Sequence, residues 1–226
     1  MRNALQLSNG FIVTTDNSGA IGQKKLDVVN VPDDMTSYFS ARVTLLEQWA
    51  EGAEPEAIIL HNFSDEDAWQ RYVAGISRLF NEMGMVIPRI TGSTESNIKT
   101  MQSGIAVTMI GEPVKDFPPI QALKWFTYGK PLIGNELVAE PEKVANMKCI
   151  YEAIQQGIIG RIWPVGSKGI SKEAQILFGE ISFDCAWDIY KSAGPSTVVI
   201  LGIYEEKLQQ AKQFFGELLQ PIVFKL

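Results

Sequence analysis

The stretch Thr-Thr-Asp-Asn-Ser-Gly-Ala-Ile-Gly-Gln-Lys-Lys-Leu-Asp, residues 14–27, decides how the rest of the chain is interpreted. It follows the apolar run Phe-Ile-Val at residues 11–13, which predicts a strand that ends in the threonines. The stretch itself predicts a loop, because two glycines and a pair of lysines follow. A polar surface turn between two strands is the alternative interpretation of this stretch taken alone.

The predicted loop contains the groups that a nucleotide phosphate requires. Glycine lets backbone N–H groups approach a phosphate closely, lysine neutralises its charge, and carboxylates hold the magnesium that accompanies it. The candidate phosphate ligands are the two glycines and the two lysines, Gly19, Gly22, Lys24 and Lys25. The candidate metal ligands are the acidic residues towards either end, Asp16 and Asp27.

Composition limits the class of protein. At 226 residues and 46% apolar, the chain is long enough for one large domain or two small ones. The net charge of −6, with no basic cluster denser than Lys24-Lys25, gives no electrostatic reason to expect nucleic acid or a membrane surface as partner. The apolar runs are too short to span a bilayer, and the N-terminus lacks the apolar core of a signal peptide. We therefore expect a cytoplasmic protein.

Histidine and cysteine chemistry has little support in the sequence. His61 is the only histidine, so a histidine-rich metal site is excluded, and we expect this residue to be structural. Cys149 and Cys185 lack the CxxC spacing and form no disulfide framework. The chemistry is therefore expected from carboxylates, lysines, backbone amides and a metal.

The first half predicts a strand-rich unit with two helices. Leu5 to Val13 predicts a hairpin with a tight type I′ turn at Asn9-Gly10. Apolar spacing predicts one helix from Asp33 to a stop at Gly52, and another that begins with the capping pair Ser64 and Asp67. Strands are expected at residues 28–31, 57–60, 85–87 and 105–110, with a loop at 91–103.

The second half follows a Pro- and Gly-containing linker at residues 111–119. We expect helices near residues 142–156, 171–178 and 205–215. Strands are expected near 158–163, 181–185, 197–203 and 222–224, with the last part arranged like a βαβ unit. The predicted domains are residues 1–112 and 120–226.

The loop at residues 91–97, Thr-Gly-Ser-Thr-Glu-Ser-Asn, is rich in hydroxyl and amide groups. Gly92, Ser93 and Thr94 are candidate phosphate ligands, and Glu95 is a candidate magnesium ligand. A serine- and threonine-rich turn without a ligand is the alternative.

The loop at residues 164–170, Pro-Val-Gly-Ser-Lys-Gly-Ile, lies between a predicted strand and a predicted helix. Gly166 and Gly169 flank Ser167 and Lys168 where free N–H groups and the helix dipole favour an anion. The spacing is not that of a Walker A motif. A further loop at residues 192–197 is either a second substrate loop or a rigid entry to the next strand, and we favour the latter.

These motifs together resemble the AIR-synthase-like (PurM-like) ATP-dependent superfamily, which includes thiamine-monophosphate kinase, aminoimidazole ribonucleotide synthetase and selenophosphate synthetase. The resemblance is carried by Asp16 after Thr-Thr, by Gly-Ala-Glu-Pro at residues 52–55, and by Gly-Ser-Thr-Glu before a Gly-Ile-Ala-Val-Thr strand. It is nearest to the α-ribazole kinase branch, through residues 16–22, 91–95, 164–169 and 192–195.

The resemblance implies an α+β fold. Its N-terminal α/β domain pairs with that of a second subunit to form a β-barrel, and an α+β domain follows. It also implies ATP and Mg²⁺ as cofactors. Glu47 stands where thiamine-monophosphate kinases carry a metal-binding aspartate. Those kinases have Gly-Gly-Asp-Thr where this chain has Gly-Ser-Thr-Glu, which displaces Glu95 by one residue. The chain is also shorter than most relatives.

The sequence and the resemblance together predict a Mg/ATP-dependent kinase that phosphorylates a nucleoside-like alcohol, α-ribazole in cobalamin lower-ligand salvage, and that forms a homodimer. Lys168 and Ser167 are the candidate catalytic residues, and no general base is identified. The predicted magnesium ligands are the four acidic residues Asp16, Asp27, Glu47 and Glu95. The alternatives are an AIR-synthetase-type ligase, or a shortened nucleotide-binding or regulatory protein without catalytic activity.

Overall fold

The computed structural model describes residues 3–225, which divide into two compact units, one ending at Lys115 and the other beginning at Asp116. The elements of the first unit are β1 (Ala4–Gln6), β2 (Ile12–Gly19), β3 (Ile21–Gly22), β4 (Val29–Asn30), α1 (Asp33–Ala50), β5 (Ala53–Asn62), α2 (Glu66–Met83), β6 (Arg89–Thr94) and β7 (Gly104–Pro113). Among the described residues, no helix combines the length and apolar character needed to cross a membrane.

Five strands of the first unit form one sheet in the order β1-β2-β7-β5-β6. Neighbouring strands are antiparallel except β5 and β6, which are parallel and are joined by α2. The side chains alternate between a buried face, which includes Leu60 and Val107, and a face on which Thr15, His61 and Ser93 are exposed. A separate parallel pair is formed by β3 and β4.

Helix α1 is buried over most of its surface although many of its side chains are polar. Its Gln48 amide donates hydrogen bonds to the backbone carbonyls of Ile12 (3.1 Å) and Met109 (3.0 Å) and to the Thr14 hydroxyl (3.1 Å). The Thr14 hydroxyl donates in turn to the carbonyl of Thr44 at 3.0 Å. These bonds stabilise α1 on β2 and β7 in one register, since buried polar groups are costly without partners.

Helix α2 confirms the predicted apolar stripe but not the predicted cap. Tyr72, Ile76 and Phe80 are buried, as the periodicity predicts. The N-cap is Asp65, whose carboxylate accepts from the N–H of Ala68 at 2.9 Å.

Three predictions for the first unit are wrong in detail. Of the two turn residues only Gly10 has a positive φ, 93°, so the hairpin does not close with a type I′ turn. The predicted loop begins later than expected, because β7 pairs with β2 as far as Gly19, which places Asp16 mid-strand; residues 23–28, after β3, are the part that is a loop. Residues 85–87 are not a strand; β6 is formed instead by residues of the predicted loop, which hydrogen-bond with β5.

The elements of the second unit are β8 (Leu123–Tyr128), α3 (Asn135–Ala139), α4 (Met147–Gln155), β9 (Ile159–Pro164), α5 (Gly169–Phe178), β10 (Phe183–Asp184), β11 (Val199–Tyr204), α6 (Leu208–Phe215), β12 (Leu219–Pro221) and β13 (Val223–Phe224). An antiparallel sheet has the order β12-β8-β11-β9, and β10 pairs separately with β13.

The ending of the second unit differs from the predicted βαβ arrangement. The last strand, β13, pairs antiparallel with β10, whereas β11 lies between β8 and β9 in the other sheet. The strands β8 and β12 were not predicted, and α4 begins at Met147, five residues later than 142. A 3₁₀ turn at Pro141–Lys143 occupies the start of the predicted helix, where proline fits a first turn.

Candidate functional site

The first unit contains a cavity of about 760 Å³ at the ends of three connecting segments. One segment follows β3, one precedes and begins α2, and one follows β6. The cavity is lined by Lys24, Lys25, Ser64, Asp65, Glu66, Asp67, Glu95, Ser96, Asn97, Ile98, Lys99, Thr100 and Met101. Its volume lies in the range of small-molecule sites, and its lining combines ammonium groups, carboxylates and hydroxyls.

Lys24 ties the three segments together. Its ammonium group donates to the carbonyl of Ser64 (2.5 Å) and to both the carbonyl (2.9 Å) and the hydroxyl (2.7 Å) of Thr100. It also lies 3.9 Å from the Asp65 carboxylate. The predicted phosphate ligand therefore organises the wall of the cavity through its side chain.

Asp27 has a similar organising role. Its carboxylate accepts hydrogen bonds from the N–H of Lys24 (2.8 Å) and from the N–H and hydroxyl of Ser103 (both 2.7 Å). These three donors fix the loop that carries Lys24 against the start of β7. The predicted metal ligand thus already serves as an acceptor for this loop.

Gly22 is required by close packing beneath the cavity. A side chain there would overlap Ser103 and come within 2.9 Å of the Asp33 carboxylate. Asp33 is buried and binds Arg71 through its Nε (2.9 Å) and Nη2 (2.8 Å) atoms. Arg71 also lies 3.7 Å from Asp65, so it connects the start of α1 to the lining of the cavity.

Glu95 lines the cavity and shapes its own loop. One carboxylate oxygen accepts from the N–H groups of Asn97 (2.8 Å) and Ile98 (3.0 Å). Its backbone N–H donates to the Asn62 carbonyl at 2.8 Å. The neighbouring phosphate candidate Thr94 accepts from the Asn62 amide at 3.2 Å.

Gly92 and Ser93 belong to β6 and do not line the cavity. A Cβ atom at Gly92 would overlap the Leu60 carbonyl, so the backbones of β5 and β6 require glycine there. Ser93 is exposed on the opposite side of the sheet from Leu60. Gly19, at the end of β2, has open space where a side chain would begin and is likewise outside the lining.

Asp16 and Glu47 also lie outside the lining of this cavity. Asp16 is half-buried opposite Val107, and Glu47 is fully buried in α1, where it accepts from the Asn3 amide at 3.4 Å. Within residues 3–225, no three His, Cys, Asp or Glu side chains gather as a metal-binding group. The four predicted magnesium ligands therefore do not form one preformed cluster.

The charge of the cavity suits a metal–phosphate complex better than a bare anion. Three lysines, Lys24, Lys25 and Lys99, face four carboxylates of Asp65, Glu66, Asp67 and Glu95. Magnesium in nucleotide sites keeps several waters and takes one or two carboxylates together with substrate phosphates, rather than a cage of protein ligands. The residues present fit magnesium that arrives with a nucleotide.

In the second unit, the loop between β9 and α5 carries the remaining predicted residues. Ser167 and Lys168 are exposed, and Lys168 is the N-cap position of α5. Two of the first N–H groups are already bonded: Gly169 donates to the carbonyl of Gly166 at 3.2 Å, and Ser171 donates to that of Ile189 at 2.8 Å. The predicted anion position is thus partly occupied by backbone carbonyls.

The structure brings the loop at residues 192–197 against the Ser167 loop. The N–H of Ala193 donates to the Gly166 carbonyl at 3.2 Å, and a Cβ atom at Gly194 would lie 3.8 Å from the Ser167 nitrogen. Lys191, just before it, pairs with Glu136 at 2.8 Å. The two loops therefore contact each other through backbone groups.

The sequence did not single out several residues of the cavity, notably Asp65, Lys99 and Thr100. Their position in the sequence could have indicated them, because Asp65 lies at the start of the helix after β5 and Thr100 precedes β7. Connections at strand ends commonly carry binding residues.

Comparisons with known proteins identify the fold. No protein-family model and no curated protein matches the sequence. The structure of the hydrogenase maturation protein HypE in complex with ATP matches with a TM-score of 0.64 at 15% identity, over 97% of this chain and 78% of that one. Thiamine monophosphate kinase from Aquifex aeolicus matches with a TM-score of 0.64 at 11% identity, over 99% and 87%.

PurL from T. maritima, complexed with AMPPCP, matches with a TM-score of 0.59 at 12% identity, over 98% of this chain and 42% of that one. Structural similarity at sequence identities of 11% to 15% is evidence for the fold alone. The chain has the mixed α+β, PurM-like fold that the resemblance implied.

Proposed function

We propose that the chain is a Mg/ATP-dependent kinase that phosphorylates an alcohol group of a nucleoside-like acceptor. The observation that carries the proposal is the cavity in the first unit, whose lining combines three lysines with hydroxyls and carboxylates. The same fold holds ATP in HypE and an ATP analogue in PurL. Phosphoryl transfer needs positioning and charge neutralisation more than covalent chemistry, which suits a site with few nucleophiles.

Within the cavity, Lys25 and Lys99 would bind the phosphates, because both are exposed. Lys24 would hold the loop in place, since three hydrogen bonds fix its ammonium group. Its positive charge would also attract the phosphates without direct contact. Magnesium would neutralise the phosphate charge, and Glu95 or Asp65, whose carboxylates line the cavity, would bind it together with the phosphates. Asp16 and Glu47 remain proposed metal ligands through the resemblance alone.

For the acceptor we propose α-ribazole, which follows from the resemblance of residues 16–22, 91–95, 164–169 and 192–195 to the α-ribazole kinase branch. Ser167 and Lys168 are exposed on the loop before α5 and are proposed to contact the transferred group. Thiamine monophosphate kinase, with AMPPCP and TMP bound in one structure, gives a precedent for a kinase of this fold with a small-molecule acceptor.

We also propose a homodimer formed through the exposed face of the first sheet. Leu5 is 62% exposed there, and Ile59 and Ile110 are only partly covered. A second copy of the same face would bury these side chains symmetrically. Light scattering should give twice the monomer mass at micromolar concentration, and a monomer would contradict the proposal.

The decisive experiment measures ADP release with Mg²⁺, ATP and a panel of acceptors. A kinase releases ADP only with an alcohol acceptor, whereas an AIR-synthetase-type ligase requires an amine or amide. A regulatory protein binds ATP without releasing ADP. Lys25→Met and Lys99→Met should each weaken ATP binding at least fivefold, while Lys172→Met, an exposed lysine on α5, should leave it unchanged. If all three variants bind ATP with the same affinity, the nucleotide does not bind at Lys25 and Lys99.

A further inference from the structure

The second unit contains a separate cavity of about 720 Å³ to which the proposed phosphoryl transfer assigns no role. It lies between β8, the residues after α5, and the final segment Pro221–Lys225, which we name the strap. Besides polar and charged residues, its lining includes six apolar side chains, three of them aromatic, from Leu123, Trp125, Phe178, Ile181, Ile222 and Phe224.

Three aromatic rings form a continuous wall. The Phe178 ring packs edge to face against Trp125, with centroids 4.7 Å apart, and against Phe224, 5.2 Å apart. Trp125 is only 4% exposed, and its indole N–H donates to the Ile120 carbonyl at 3.0 Å. The wall therefore offers ring faces and edges without an unsatisfied polar group from this indole.

The strap is held on both sides by backbone hydrogen bonds. The N–H of Ile222 donates to the Trp125 carbonyl at 2.9 Å, and the N–H of Lys225 donates to the Ser182 carbonyl at 2.8 Å. Pairing of β13 with β10 adds to this attachment. These bonds keep the Phe224 ring in position beside the cavity, which is open to solvent on one side.

Three charged residues line the cavity, Lys124, Glu180 and Lys225, and all three are exposed. Lys225 lies 2.6 Å from Asp184, and Lys124 lies 3.7 Å from Glu205, all four side chains being exposed. Both lysines therefore have a carboxylate partner, and the apolar part of the cavity carries no charge that needs a counter-ion. An apolar ring can enter it without leaving a charge unpaired.

We infer that this cavity binds a flat aromatic ligand of one or two fused rings, with its polar substituents facing solvent. The volume lies in the range of small-molecule sites. A planar ring gains edge-to-face contacts with Phe178 and Phe224 that a saturated ring of similar size lacks. The inference concerns residues of the second unit that the proposed phosphoryl transfer does not use, and its test needs no nucleotide.

The test uses benzimidazole as probe and cyclohexylmethanol as a non-aromatic control, with binding followed by ligand-detected NMR in the absence of ATP. Phe224→Ala removes a ring that is 43% exposed and should weaken benzimidazole binding at least fivefold. Val223→Ala, the neighbouring position on the same strand and outside the lining, is the matched control and should change binding less than twofold.

A second variant keeps the test decisive if Phe224→Ala unfolds. Ile181→Trp replaces a lining side chain that is 40% exposed with a larger one, so it should fill the mouth of the cavity and block the probe. Circular dichroism should show a folded protein. Failure of wild-type protein to bind benzimidazole at millimolar concentration, equal binding by Ile181→Trp, or equal binding of cyclohexylmethanol would each overturn the inference. None of these results bears on ADP release, so the two proposals fail separately.

Discussion

The ammonium group of Lys24 binds both the backbone carbonyl and the hydroxyl of Thr100, which lies 76 residues further along the chain. The adjacent Lys25 is exposed and lines the same cavity. Two neighbouring lysines therefore have different physical roles, one structural and one available to a ligand.

Lys24→Met should lower the free energy of unfolding by about 1–3 kcal/mol, because the carbonyls of Ser64 and Thr100 lose a charged donor. Lys25→Met should change it by less than about 0.5 kcal/mol, as expected of an exposed side chain. Urea denaturation measures both. Equal effects of the two substitutions would show that Lys24 does not hold the segments together.

Gly92→Ala should destabilise the first unit by about 3 kcal/mol or more, because the new methyl group overlaps the Leu60 carbonyl in the neighbouring strand. Gly19→Ala is the control, since its Cβ atom would meet open space. Thermal unfolding of both variants tests the difference. A folded Gly92→Ala protein with wild-type stability would contradict the close approach of β5 and β6.

Because of the buried phenol of Tyr72, the free energy of unfolding should fall as the pH rises above 10. Burial raises the pKa of this phenol to about 12, with the nearby carboxylates of Asp33, Asp27 and Asp65 adding to the effect and the Ser64 hydrogen bond opposing it. Between pH 10 and 12 the unfolded chain ionises while the native phenol stays protonated, so stability falls as pH rises, by up to about 1.4 kcal/mol per pH unit.

Denaturation at pH 9, 10, 11 and 12 measures this dependence, and Tyr72→Phe should reduce its slope. Burial also raises the pKa of Tyr38 to about 12, so Tyr38→Phe should reduce the slope as well. An unchanged slope in Tyr72→Phe would show that its phenol ionises equally in both states.

Asp16→Asn should weaken Mg-ATP binding while leaving the fold intact, if Asp16 holds magnesium as the resemblance implies. Loss of one carboxylate from a shared cation site removes charge that the other ligands cannot replace. We expect at least a tenfold loss of affinity in calorimetric titration. The same affinity in a folded variant would assign Asp16 a structural place in β2 instead.

Lys168→Ala should lower kcat by about 10²-fold or more and change nucleotide affinity little, because a fixed charge matters most where charge develops during transfer. Lys168→Arg should restore activity only in part, since a planar guanidinium does not replace a compact ammonium group. Steady-state kinetics with α-ribazole and ATP test both. Wild-type turnover in Lys168→Ala would exclude this loop from the mechanism.

The sequence predicted the helices of the first unit well because their signals are local. The apolar spacing of α2 and the stop at Gly52 lie within or directly beside the helices that they predict. Strand β6 was missed because Thr-Gly-Ser-Thr has the composition of a loop, and only its pairing with β5 makes it a strand. Tertiary pairing outweighs composition in such segments.

The candidate site was predictable only in part, because local signals identify its loops but not the contacts between them. Lys25 and Glu95 line the cavity, but Lys24 and Asp27 also bind Ser64, Thr100 and Ser103, which are far away in sequence. No periodicity or motif in one segment specifies which carbonyl or hydroxyl of another will approach it. The tertiary packing of the folded chain determines which of these groups meet.

The order of strands in the first sheet also affects synthesis of the protein. The central strand β7 is the last strand of its unit in the chain, and it separates β2 from β5. While a ribosome adds the residues after Asn62, both of those strands have open edges. At about 5–20 residues per second this exposure lasts on the order of seconds. Unpaired edges invite association between nascent chains, so chaperone demand should peak just before Gly104–Pro113 emerges.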